Sequence, residues 1–176
     1  VDSVTHIVCG ACLGEIMGGK KWGKKALIAG AIAQSFPDID MISSLWLKTP
    51  ADLLAHRGIT HSIFFSLLTA ALLGFFIYRY LLKRQPSYLF VFCFILIQLF
   101  AHLFLDTCTS YGTGLWLPFS DQRVSINLLF VADPIFTLFT LVGTLYLVFA
   151  SSSRHYRKHI AGISIVLSAL YIGYSA

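Results

Sequence analysis

The sequence predicts an all-α fold, a polytopic membrane helix bundle of about six helices with the first two short. Three observations predict it. Apolar residues make up 57% of the chain and charged residues only 12%, with a mean hydropathy of +0.76, whereas soluble domains carry about 25% charge. Long apolar runs extend from Thr60 to Leu82, from Ser87 to Asp106 and from Ile126 to Ala150. The basic residues gather in alternate connections, as they do in helical membrane proteins. At 176 residues the chain is expected to form one membrane-embedded domain, 1–176.

Taken in order, Ser3 to Met17 is an apolar stretch with small residues at Gly10, Ala11 and Gly14, which let membrane helices approach closely. Gly18-Gly19 is expected to end it. A second short stretch runs from Ala26 to Phe36 and stops at Pro37, so the two form a tight hairpin. Pro37-Asp38-Ile39-Asp40 is expected to be extended, with both carboxylates on one side. Met41 to Ala55 is mixed and carries Trp46, suited to headgroup depth. The three long runs follow, then a basic connection from Arg154 to His159 and a last run from Ile160 to Ala176. Asp2 stands where a cleavable signal peptide would be basic, so none is expected. Cys9 and Cys12 share a helix face and read as apolar packing, since no second pair completes a zinc cluster.

The charge distribution orients the bundle. Lys20, Lys21, Lys24, Lys25, Arg79, Lys83, Arg84, Arg154, Arg157 and Lys158 fall after helices one, three and five, which is ten of the thirteen basic residues. Lys48, Arg57 and Arg123 fall on the other side. The basic side is expected to be cytoplasmic, and this sorting accounts for the net charge of +5 without a nucleic-acid partner. The opposite, periplasmic or extracellular boundary then receives His6, Asp38, Asp40, His56, His61, His102, Asp106, Asp121 and Asp133.

Ionisable groups at membrane depth are rare and functional, and several carboxylates placed together repel unless cations intervene. His102 and Asp106 stand four apart, on one helix face. His56 and His61 flank Arg57 and Gly58 and offer one ligand from a loop and one from a helix start. With His6, Asp38 and Asp40 they form a candidate set for one to three divalent metal ions. Imidazole with carboxylate suits zinc best, and manganese or iron next. Taken singly, each has a plainer reading: a His–Asp hydrogen bond between helices, interfacial histidines, a turn at Asp38 and Asp40. Glu15 is expected to pair with a nearby lysine. No nucleophile or phosphate-loop motif is present, which leaves a metal-activated water as nucleophile. Asp133, or one of Asp38 and Asp40, would act as base, and Arg57 would orient a phosphate.

The Thr5-His6 helix, Pro37-Asp38-Ile39-Asp40, His56-Arg57-Gly58-Ile59-Thr60-His61-Ser62 and His102-x-x-x-Asp106 together resemble the YdjM-like inner-membrane proteins, over nearly the whole chain. These are described as membrane-bound, metal-dependent hydrolases, some under control of the SOS repressor LexA. The resemblance implies a multi-pass protein of the bacterial inner membrane with a metal-dependent hydrolase site. A fainter similarity runs to zinc-dependent phospholipase C and the single-strand nucleases of that fold, which use an early His, an Asp, a His and a His-x-x-x-Asp pair. The chain departs from them after Asp106, where no further His precedes Arg154. The expected reaction is hydrolysis of a phosphoester in a membrane lipid or lipid-linked substrate at the outer boundary. Two competitors are a proton- or cation-coupled transporter and a non-catalytic protein whose metal braces the helices.

Overall fold

The computed structural model of the chain describes residues 1–45, 57–83, 85–151 and 156–175, without the side chains of 41–45. His56, Trp46, Lys48, Arg84, Arg154 and His155 therefore lie outside the described residues. Among those described are six α-helices: α1 (Ser3–Trp22), α2 (Lys25–Ser35), α3 (Ile63–Phe76), α4 (Tyr88–Thr107), α5 (Pro134–Phe149) and α6 (Arg157–Tyr174). They run alternately up and down, so one end of the bundle collects the start of α1 and the end of α4, and the other collects Lys20, Lys21 and Arg157. The chain is all-helical, as its composition predicts.

Helix α1 is longer than Gly18-Gly19 suggests. It runs 20 residues and ends at Gly23, whose φ of 55° with ψ of −139° is open to glycine and strained for other residues, with its N–H donating to the Gly19 carbonyl. The glycines inside α1 serve packing instead. A Cβ on Gly10 would stand 2.6 Å from the Gly30 carbonyl oxygen, and one on Gly14 would stand 2.2 Å from that of Ala26. The backbones of α1 and α2 touch, and no larger residue fits there.

Two helices are long and apolar enough to cross a membrane: α3 continued by a π-helical turn (Ile77–Leu81), 63–81 in all, and α4. The third long run, from Ile126, becomes helical only at Pro134, and α5 has 16 residues. Asp133 is its N-cap rather than a residue within it. Its carboxylate accepts from the N–H groups of Ile135 and Phe136, and Pro134 takes the first helical position. Pro37-Asp38-Ile39-Asp40 is also not extended. It belongs to a 3-10 helix, Phe36–Leu45, which continues α2 through a helical Phe36. At the opposite end of the bundle Glu15 pairs with Arg157 of α6 rather than with a lysine, Nε to Oε1 at 2.9 Å and Nη2 to Oε2 at 2.8 Å.

Candidate metal centre

The site is assembled by α1, α4, the 3-10 helix after α2 and the turn before α3. A 3-10 turn, Ile59–His61, delivers His61, and Ser62 then caps α3 by accepting from the Phe65 N–H at 3.1 Å. The last turns of α4 deliver His102 and Asp106. Close packing of α1 on α2 lays the His6 ring over that of His102, with centroids 3.7 Å apart and planes 20° apart. His6, His61 and His102 are fully buried, and Asp106 nearly so.

Two of the three imidazoles, His102 and His61, are held from behind. His102 Nδ1 lies 2.6 Å from the Gln34 carbonyl oxygen. A carbonyl only accepts, so Nδ1 carries the proton and the Nε2 lone pair of the neutral ring faces the cluster. His61 Nδ1 lies 3.1 Å from Asp40 Oδ2 and 3.0 Å from Thr60 Oγ1. Asp40 Oδ2 also accepts from the Thr60 hydroxyl and from the Arg57 N–H. Carboxylates and carbonyls behind metal-bound histidines have this arrangement, fixing tautomer and ring orientation. The two Nε2 atoms then meet head-on, 3.0 Å apart. Two lone pairs at that distance repel unless a proton or a cation lies between them. Nitrogens sharing a tetrahedral zinc stand about 3.3 Å apart, close to the spacing already present.

Asp106 completes the set. Its Oδ1 is occupied by Arg57 Nη2 at 3.2 Å, by His6 Nε2 at 3.3 Å and by the Val1 nitrogen. Its Oδ2 makes no hydrogen bond, yet it is buried 3.3 Å from His61 Nε2 and 3.5 Å from His102 Nε2. Asp38 Oδ1 stands 3.5 Å from both of those nitrogens. Ligand atoms of His61, His102 and Asp106 all lie within 4.8 Å of one another, and so do those of His6, Asp38 and His102. These buried His and Asp groups can hold a metal ion: an orphaned carboxylate oxygen and two facing imidazole lone pairs fit a divalent cation of the zinc, manganese or iron type.

The protonation of the groups outside the long helices follows from the same geometry. Burial alone would lower the pKa of His61. The carboxylates of Asp106, Asp38 and Asp40 beside it outweigh burial and raise the pKa to about 10. Burial would raise that of Asp38, but the hydrogen bond to His61 and the imidazoles of His102 and His6 beside it hold it below the ordinary carboxylate value. Without a metal the cluster therefore takes up a proton at His61.

The remaining sequence-predicted residues have other surroundings. Arg57 is buried, and its Nη1 donates to Thr109 Oγ1 at 2.8 Å and to the Asp106 carbonyl at 3.5 Å. With Nη2 on Asp106 Oδ1, the guanidinium grips the ligand carboxylate and its helix end together. Its backbone sits at φ 57°, a left-handed conformation costly for a side chain of this size, and its carbonyl accepts from Gly114 in the loop above. The Asp133 carboxylate is engaged elsewhere, by the α5 N-terminus and by the Tyr171 hydroxyl at 3.2 Å. Sequence reasoning missed the Gln34 carbonyl, which carries no residue-type signal, and Thr109. Thr60 was legible, adjoining His61.

Comparison with known proteins agrees with this architecture. The family model described as "YdjM inner membrane protein" matches residues 1–176, so the chain belongs to that family. It is 31% identical over 122 residues to the inner membrane protein YbcI of Escherichia coli K12, covering 68% of this chain and 69% of that one. It is 34% identical over 146 residues to the uncharacterized protein YfhP of Bacillus subtilis 168, covering 76% of this chain but 42% of that longer one. No solved structure matches.

Proposed function

We propose that this member of the YdjM inner membrane protein family is a membrane-bound, metal-dependent hydrolase that cleaves a phosphoester of a lipid or lipid-linked substrate. The observation that carries the reading is the convergence of His61 Nε2, His102 Nε2 and Asp106 Oδ2 with each imidazole already oriented from behind. A divalent metal bound there, zinc before manganese or iron, would polarise a phosphoryl oxygen and make a bound water nucleophilic near neutral pH.

The chain's own residues divide the work. His61, His102 and Asp106 hold the ion, with His6 and Asp38 as a second group sharing His102. Asp40 orients His61, and Arg57 is a positioning residue that fixes Asp106. Asp38 has the most accessible carboxylate of the three, 13% exposed against 8% for Asp40 and 1% for Asp106. We assign it proton transfer to and from the attacking water. The basic residues at the other end of the bundle support a periplasmic site by the positive-inside rule.

The test uses purified protein in lipid nanodiscs. Metal is counted by elemental analysis, and phosphate or headgroup release is followed from phosphatidic acid and from a soluble aryl phosphodiester. The expected result is bound divalent metal with turnover, both lost in His102→Ala and unchanged in His159→Ala. Full burial of the three imidazoles also suits a purely bracing metal. Metal retained without any turnover would overturn the hydrolase reading in favour of that brace.

A further inference from the structure

We infer that the groove between α2, α3 and α4 seats one hydrocarbon chain of the lipid whose headgroup reaches the His/Asp cluster. The groove is a cavity of about 240 Å³ lined almost wholly by carbon. Its outer end is formed by Ala33, Phe36 and Leu99, its middle by Ala29 and Leu73, and its inner end by Trp22. The outer end adjoins the ligands: Phe36 is two residues before Asp38, and Leu99 is three residues before His102. Along α4 the lining extends from Leu99 to Val91, about 12 Å of helix, the reach of a medium-length acyl or isoprenoid segment. Trp22 closes the far end by packing edge-on against Phe90 and Phe94.

The surroundings choose the occupant. The flanking faces of α2 and α3 are apolar and exposed, Ile28 at 62%, Ile32 at 64% and Leu72 at 64%, so hydrocarbon is the medium at the groove's rim. Phe36 and Phe65 stack across its mouth, centroids 6.4 Å apart. Between groove and cluster the wall turns polar. Ser66 Oγ is buried without a protein partner, one turn from Ser62. An apolar slot, a buried hydroxyl and a metal-binding cluster follow one another in the order of a lipid's chain, ester linkage and phosphate. A buried hydroxyl calls for a partner, and an ester carbonyl, which accepts from it, supplies one.

The inference deepens the proposed function and rests on its lipid substrate, but the groove can be tested without turnover. Full-length protein in nanodiscs is irradiated with phosphatidic acid carrying a diazirine at mid-chain, and the adducts are mapped by peptide mass spectrometry. Adducts should concentrate on groove residues and fall about tenfold in Ala29→Trp and in Leu73→Trp, which fill the slot from opposite walls. Leu72→Trp, on the exposed flank, should leave them unchanged. Metal content, unchanged in all three, separates a filled groove from a misfolded bundle. Adducts spread evenly over Leu72, Phe75 and the groove, indifferent to both plugs, would overturn the inference. Groove-specific adducts in a protein that turns over no phosphoester would uphold the groove and defeat the hydrolase reading. Turnover with even labelling would do the reverse.

Discussion

Buried charge occurs at both ends of this bundle, and the two sites differ in how their charges balance. At the inner end Glu15 meets Arg157 one to one, through two parallel hydrogen bonds. The remaining guanidinium nitrogen donates to the Leu147 and Ala150 carbonyls at 2.7 and 3.1 Å. That site is closed: every charge has its partner, and its effect is to tie α1 to the connection between α5 and α6. At the outer end the side chains of Asp38, Asp40 and Asp106 face one guanidinium, Arg57, and three imidazoles, two of which meet nitrogen to nitrogen. That site is open, and it requires protons or a cation to balance. Burial of ionisable groups is shared by both, so burial alone does not mark a functional site. The unbalanced set is what sets the outer end apart.

The largest expected effect separates the two ends. Asp106→Asn leaves Arg57 buried without its counter-ion and removes a ligand. Metal should fall to background, and stability should drop by about 3–5 kcal/mol, the usual effect of breaking a buried pair. Glu15→Gln should cost a similar amount of stability through Arg157, yet leave metal stoichiometry per folded protein intact. Denaturant unfolding with elemental analysis checks both. Metal loss in Glu15→Gln would mean that the two ends are coupled.

A smaller effect sharpens the contrast. Replacing both inner partners, Glu15→Met with Arg157→Met, should recover most of the stability lost in Glu15→Gln, because a closed ion pair can be exchanged for apolar packing at little net cost. Replacing His61 and His102 together by Leu should instead lower stability as well as abolish metal binding, because Asp38, Asp40 and Asp106 lose the imidazoles beside them. If the double inner variant stays as unstable as Glu15→Gln, the inner pair does more than brace.

The last contrast is in pH. In the metal-free protein the raised pKa of His61, about 10, means that its protonation stabilises the fold fully below the unfolded value of about 6.5. That contribution is lost as pH rises through about 10. The lowered pKa of Asp38 works in the opposite sense, present above its unfolded value and lost as pH falls through the folded one. A metal must displace the His61 proton, so affinity should rise with pH across the neutral range, with about one proton released per ion. Calorimetry in buffers of different ionisation enthalpy counts that proton. Release of none would place the ion away from His61. No comparable pH dependence is expected from loss of the inner pair.

Much of this was legible in the residues. Low charge, long apolar runs and sorted basic residues determined an all-helical membrane bundle, because backbone and charge in a bilayer admit few alternatives. The helical spacing of His102 and Asp106 and the clustering of His and Asp at one end pointed to the centre's level. What stood behind each ligand was decided by tertiary structure alone. The Gln34 carbonyl behind His102, the choice of Arg157 over four nearby lysines for Glu15, and Arg57 gripping Asp106 depend on how closely α1 and α2 approach and on where loops cross. Likewise the carboxylate of Asp133 became a helix cap because Pro134 starts α5 there, although its residue type and depth matched those of a ligand. Composition and periodicity place a residue on a face and at a level. A hydrogen bond needs its partner within about 3 Å, and only packing between distant segments sets that distance.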